Sequence, residues 1–175
     1  ANSLFKPFNL VDGVFVNNYV SHKSSFKDFW KWRRESSKPE PIAFPMVKND
    51  PEYLKSNKSE NTITWIGHST FLLQIDGINI LTDPHFTKRA SPLSFMGPSR
   101  TTPPGLKIDE LPFIDFVLIS HNHYDHLDSK TIQLLLKKQN VNQPTFFVPL
   151  KLRNIISKLG ARNVLEHEWW PVSYT

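Results

Sequence analysis

An α/β layered domain is the fold class this sequence predicts, and three observations predict it. From Asn61 onward, short β-rich runs alternate with segments of helical spacing. Phe116-Val117-Leu118-Ile119 is a continuous apolar run of the buried-strand kind. Asp76-Gly77 stands between two β-rich runs, and both residues tolerate the positive φ of a type I′ turn, which closes a two-residue hairpin.

Taken in order, residues 1–22 are mixed and predict no element. Residues 24–35 read as a short helix, with Phe26, Phe29, Trp30 and Arg33 at helical spacing. Residues 38–51 hold Pro39, Pro41, Pro45 and Pro51. Proline fixes φ and removes a donor, so an extended connector is expected there. Residues 1–60 are accordingly read as an N-terminal extension, and 61–175 as the main domain. Strands are expected at 62–66, 71–75 and 78–82. The proline-rich stretch 84–112 predicts a long ordered loop or lid, and loops of that length in compact domains are usually functional. After the strand at 116–119, Asp128 can cap a helix running to Lys138, with Ile132, Leu135 and Leu136 inward. A strand at 145–148, a helix at 150–159 closed by Gly160, and a last strand at 163–166 complete the pattern.

The chain has 175 residues, which fits one domain or a large part of one. With 39% hydrophobic and 13% aromatic residues it can build a core, which excludes wholesale disorder. Twenty-one Lys and Arg against 16 Asp and Glu give a net charge of +5. That excess could favour an anionic partner, although ordinary solubility is the more usual reason for it. Cysteine is absent, so disulfides and thiolate metal sites are excluded and any transition-metal site must use His and carboxylate. No apolar run approaches the roughly 20 residues that span a bilayer. The expectation is a soluble or membrane-peripheral chain, cytoplasmic or at a membrane surface.

The strongest chemical signal is His121-Asn122-His123-Tyr124-Asp125-His126, directly after the buried strand. A loop leaving a strand end can turn alternate side chains toward one point. Zinc takes neutral imidazole nitrogen and carboxylate oxygen at about 2.0–2.2 Å. Two His two apart can clamp one ion, and Asp followed by His can begin a second site. Paired ions can stabilise both the attacking and the leaving oxygen of a displacement. The alternative, a polar surface loop with chance histidines, fits this density of ligands poorly.

His121-x-His123-x-Asp125-His126 resembles the signature of the metallo-β-lactamase superfamily. Trp65-Ile66-Gly67-His68-Ser69-Thr70, Leu81-Thr82-Asp83-Pro84, the loop from Ser91-Pro92 to Pro103-Pro104-Gly105, and residues 119–128 together resemble the N-acyl-phosphatidylethanolamine-hydrolysing phospholipase D family. The match runs from about residue 60 to 170. The resemblance implies a four-layer αββα sandwich of two similar halves, of which this chain is the N-terminal half, a mixed sheet flanked by helices. It implies zinc as cofactor, two ions in the complete enzyme: His121 and His123 on the first, Asp125 and His126 on the second. Asp125 would also orient the attacking water, and is the catalytic residue expected. Asp83 would support the His loop by hydrogen bonding, as residues behind metal ligands do; a plain turn aspartate before Pro84 is the alternative. His68 could sit near the site, or be a structural histidine.

The family's later ligands, a His, a bridging Asp and a final His, have no match here. Downstream of His126 only His167 remains, in a different context. The chain therefore reads as the N-terminal part of a larger enzyme, with weak metal binding, one uncovered sheet face and low activity expected of it alone.

A zinc-dependent phosphodiesterase acting on a phospholipid is the function expected. The competing readings are a hydrolase of the same fold acting on a lactone or phosphorylated sugar, and an inactive metal-binding module. Phe26, Phe29, Trp30, Trp32, Arg33 and Arg34 form a basic aromatic segment that could meet a lipid surface, though such stripes more often pack on their own domain. Lys88, Arg89 and Arg100 flank the proline-rich loop, where they could meet a substrate phosphate or simply be solvated. No Lys/Arg stripe supports a nucleic-acid partner. A homodimer, two halves completing one sandwich, stays open.

Overall fold

The computed structural model describes residues 10–11, 14–16, 25–35, 45, 47–91 and 95–168. It divides into two units: Ala1–Ile42 with Glu168–Thr175, and Ala43–His167. In the first unit, β1 (Leu10–Val11) pairs antiparallel with β2 (Val14–Phe15), and α1 spans Phe26–Glu35. The start of α1 is set by a reciprocal cap. Ser25 N and Oγ donate to Asp28 Oδ2 at 2.9 and 2.7 Å, and Asp28 N donates back to Ser25 Oγ at 3.2 Å. Phe26, Trp30 and Trp32 are exposed. Ser24 lies outside the described residues, as does most of the stretch expected to be an extended connector.

The end of that connector is not extended. Residues Pro51–Ser56 form α2, and Asp50 caps it by accepting from Glu52 N at 3.0 Å and Tyr53 N at 3.1 Å. Pro51 sits at the first helical position, where its missing N–H would have had no partner anyway. Asp-Pro-Glu was a start signal hidden among prolines.

The second unit carries a six-stranded mixed sheet whose spatial order is the sequence order, β3 to β8. The strands are β3 (Thr62–Gly67), β4 (Thr70–Ile75), β5 (Ile78–Thr82), β6 (Phe116–Leu118), β7 (Thr145–Pro149) and β8 (Val164–His167). β3, β4 and β5 form an antiparallel meander; β5 to β8 are parallel. The hairpin between β4 and β5 turns at Asp76 (φ 49°) and Gly77 (φ 79°), the positive-φ pair its sequence calls for.

One face of the sheet is a buried ladder. Leu72, Leu81, Val117, Phe146 and Val164 stand side by side in register across five strands, each no more than 7% exposed. Helices α3 (Ser129–Lys138) and α4 (Arg153–Lys158) add Ile132, Leu135, Leu136 and Ile156 to the same core, and α2 adds Leu54. Parallel strands need crossover connections, and α3 and α4 supply them between β6, β7 and β8. Buried Gln74 ties α2 to the sheet, donating to Leu54 O at 2.8 Å and Asn79 Oδ1 at 2.8 Å and accepting from Asn57 Nδ2 at 3.1 Å. The opposite face carries Ile63, Trp65, Leu118 and Leu165, all exposed.

The proline-rich stretch is ordered by folding back on itself. Arg89 bridges Ser99, Ala90 N donates to Pro98 O at 3.0 Å, and Arg100 N donates to Lys88 O at 2.8 Å. Asp128 anchors both this loop and α3. It accepts from Thr87 N and Oγ1 at 3.1 and 2.7 Å, from Thr131 Oγ1 at 2.7 Å, and from the amides of Lys130 and Thr131 at 3.1 and 3.2 Å.

Candidate metal centre

The His/Asp cluster lies at the C-terminal ends of β5 and β6, where open α/β sheets hold ligands. Asp83 leaves β5 with φ 36°, and its amide donates to Leu118 O at 2.8 Å. Its carboxylate then braces the loop that follows β6. Oδ1 accepts from Ser120 N at 2.7 Å, and Oδ2 accepts from Ser120 Oγ at 2.7 Å. Oδ2 also lies 2.8 Å from His126 Nδ1. A carboxylate only accepts, so this contact leaves the proton on Nδ1 and the Nε2 lone pair of neutral His126 available to a metal. Ser120 Oγ is 2.9 Å from His121 Nδ1, so one hydroxyl spans the brace and a second imidazole.

The loop is a tight turn, in which His123 O accepts from the amides of His126 and Leu127 at 3.0 and 2.7 Å. Leu127 is buried and Asp128 caps α3, so the turn is pinned just beyond the cluster.

The side chains fall into two groups. His121 Nε2 and His123 Nδ1 are 3.0 Å apart. His68 Nε2 is 2.9 Å from Asp125 Oδ2, which is 3.6 Å from His126 Nε2, and ligand atoms of His68, Asp125 and His126 all lie within 4.8 Å of one another. Two ligands at about 2.1 Å from a tetrahedral ion are about 3.4 Å apart, so these separations bracket what one divalent ion requires. The His121 and His126 rings, with centroids 4.0 Å apart, join the groups. All six residues singled out in the sequence, His68, Asp83, His121, His123, Asp125 and His126, therefore meet in one place. His68 reaches Asp125 directly, from a β3–β4 turn in which it adopts φ 53° and accepts, through its carbonyl, from Trp65 Nε1 at 2.9 Å.

Electrostatics keep the donors in metal-binding form. Burial, with His126 and His123 adding to it, holds His121 below the usual imidazole value, hence neutral. Burial pushes Asp125 up, but a hydrogen bond from its own amide, His126 and His68 outweigh it, so the carboxylate sits below its ordinary value. Imidazole with carboxylate is a donor set suited to a first-row divalent ion.

Ser120 and His85 were not singled out in the sequence; Arg100 was, as a residue that could meet a substrate phosphate or simply be solvated. Ser120 adjoins the site in sequence; His85 and Arg100 reach it only because the proline-rich loop folds back.

The model of the Beta-lactamase superfamily domain matches residues 62–167. The chain belongs to this superfamily. An uncharacterized protein of Mycobacterium tuberculosis is 37% identical over 169 residues, 92% of this chain and 44% of that protein. The N-acyl-phosphatidylethanolamine-hydrolyzing phospholipase D 1 of Caenorhabditis elegans is 40% identical over 112 residues, 61% of this chain and 31% of that protein. Among solved structures, a possible metal-dependent hydrolase from Veillonella parvula aligns with TM-score 0.48 at 22% identity, over 62% of this chain and 42% of that one. The chain spans less than half the length of these relatives.

Proposed function

We propose that this chain carries the histidine–aspartate ligands of a zinc-dependent hydrolase that cleaves a phosphodiester bond in an N-acyl-phosphatidylethanolamine-like phospholipid. The observation behind the reading is the convergence of His121, His123, Asp125 and His126 on one point, braced from behind by Asp83. The similarity to the phospholipase D of Caenorhabditis elegans supports the substrate class. His121 and His123 would hold one ion, and Asp125 and His126 a second, with His68 positioned by its contact to Asp125.

When bound, such ions supply Lewis acidity toward phosphoryl oxygens and make water a nucleophile near neutral pH. The residues of this chain do the rest. Asp83 fixes the tautomer and orientation of His126. Ser120 orients His121. Asp125, kept ionised, orients the attacking water and accepts its hydrogen bond. Peripheral contact with a lipid surface through the aromatic side of α1 belongs to the same reading.

The test is elemental mass spectrometry of the purified chain beside a His121→Ala/His123→Ala variant, followed by phosphorus NMR of N-acyl-phosphatidylethanolamine vesicles. Weakly held zinc that is lost in the variant, with at most slow release of phosphatidic acid and that only by the zinc-loaded protein, is the expected outcome. Equal zinc in both proteins, or hydrolysis that survives chelation, would refute it.

A further inference from the structure

A cavity of about 510 Å³ adjoins the centre, with Asp125 and His68 on its wall. Val47, Trp65, Pro98 and Pro103 give it apolar sides, and Arg100 is the one Lys or Arg that lines it among the described residues. Arg100 is half-buried and held at fixed points. Its Nε donates to Thr102 O at 3.2 Å, and its Nη1 donates to the carbonyl of His85. The other terminal nitrogen, Nη2, lies 2.6 Å from where a Cβ would stand on Gly67, so a side chain at position 67 would displace it. No described residue accepts a hydrogen bond from Nη2.

His85 lines the same cavity and is 4% exposed. Arginine can only donate, so the 3.4 Å approach of Nη1 to His85 Nδ1 makes Nδ1 the acceptor and puts the ring proton on Nε2. That Nε2 is buried and has no hydrogen-bond partner. The wall therefore holds one guanidinium nitrogen, Arg100 Nη2, to which no described residue offers an acceptor, beside the candidate metal centre and among apolar neighbours, with the buried His85 ring behind it. A fixed guanidinium edge open to a cavity suits the paired oxygens of a phosphate group.

We propose that this cavity is an oxyanion subsite in which Arg100, supported by His85, binds the phosphate of a phosphodiester whose apolar arms lie against Val47, Trp65, Pro98 and Pro103. The proposal rests on reading the neighbouring centre as hydrolytic, but its test does not need metal or turnover. Arg100 acts as a binding residue that sets which substrates present a phosphorus atom to the centre. Arg89 is excluded from this role because its guanidinium closes the loop, donating to Gly97 O at 2.6 Å.

The experiment titrates the chelator-treated chain with inorganic phosphate and, separately, with dibutyl phosphate. Arginine side-chain Nε–H resonances are followed by nitrogen-15 NMR, with Arg100 assigned through Arg100→Lys. Saturable shifts of the Arg100 resonance, with the Arg89 resonance still, are expected. Binding should weaken at least about tenfold in Arg100→Gln and stay unchanged in Lys88→Met. Because the wild-type Arg100 resonance is itself a readout, the test stays decisive if Arg100→Gln does not fold. Tighter binding of dibutyl phosphate than of inorganic phosphate supports the phosphodiester; equal or weaker binding overturns that class. An unmoved Arg100 resonance, or undiminished binding by a folded Arg100→Gln, overturns the subsite. Metal binding that fails while the Arg100 shifts persist would remove the hydrolytic reading and leave the subsite standing.

Discussion

Asp83 Oδ2 lies 2.8 Å from His126 Nδ1, while the same carboxylate takes both the amide and the hydroxyl of Ser120. One side chain at the end of β5 thereby fixes two imidazoles that leave β6. Replacing it with Ala leaves His126 free to turn and Ser120 N without its acceptor. Asp83→Ala should weaken zinc affinity about 10- to 100-fold, the usual effect of losing a residue behind a metal ligand. Competition with a chromophoric chelator measures this. Unchanged affinity would mean the brace is irrelevant to the metal.

Asp128 joins a helix cap to a loop anchor. Its carboxylate serves Lys130 N, Thr131 N, Thr131 Oγ1 and both donors of Thr87, and the residue is 7% exposed. Loss of a cap alone costs about 1 kcal/mol, and stranding buried donors adds about 1–3 kcal/mol. Asp128→Ala should therefore be less stable by about 2–4 kcal/mol in urea melts. A change within about 0.5 kcal/mol, the ordinary surface effect, would contradict it.

Acid should destabilise the domain through His85. Burial, with Arg100 adding to it, holds this imidazole below its ordinary value of 6.5, against the opposing pull of Asp128. The unfolded chain then takes up a proton that the folded chain resists. Stability is fully present above about pH 6.5 and is lost as pH falls through the lower folded value. The melting temperature of wild type should drop more between about pH 7.5 and about pH 5.5 than that of His85→Asn. His121, shifted the same way, leaves part of the drop in the variant.

The open sheet face should drive association. Ile63 is 74% exposed, Leu165 44% and Leu118 38%. Exposed apolar surface of this kind marks an interaction site. Light scattering should show mass rising with protein concentration, and Ile63→Lys with Leu118→Lys should hold the chain monomeric. A wild-type monomer at every concentration would exclude a homodimer.

On α1, Phe26, Trp30 and Trp32 are 77%, 56% and 63% exposed. Together with Lys31, Arg33 and Arg34 they suit an anionic lipid surface. Co-sedimentation with phosphatidylserine vesicles should fall when Trp30 and Trp32 become Ala; equal sedimentation would remove lipid contact.

The strands and α3 could be read from the chain because their signals are local: alternation, an Asp-Gly turn, an Asp cap before an amphipathic run. The metal loop was legible for the same reason, four ligands within six residues. α2 was not, because Pro51 follows three other prolines and only Asp50 and Glu52 on either side mark it as a helix start. His68 and Asp125 are 57 positions apart, and Arg100 and His85 are 15 apart. Their encounters depend on a left-handed turn at His68 and a loop bridge at Arg89 and Ser99, neither of which leaves a periodic trace.

The order of strands in the sheet has a consequence for how the molecule is made. Each strand from β4 to β8 pairs with the one synthesised just before it. The β3–β5 meander can form on its own, since its contacts close only short loops and cost little entropy. β6 then adds to its edge, and the loop after β6 is seized by Asp83 and His68, both already in place. Assembly can thus run in one direction along the emerging chain, with the ligand cluster set before α3 and α4 cover the sheet.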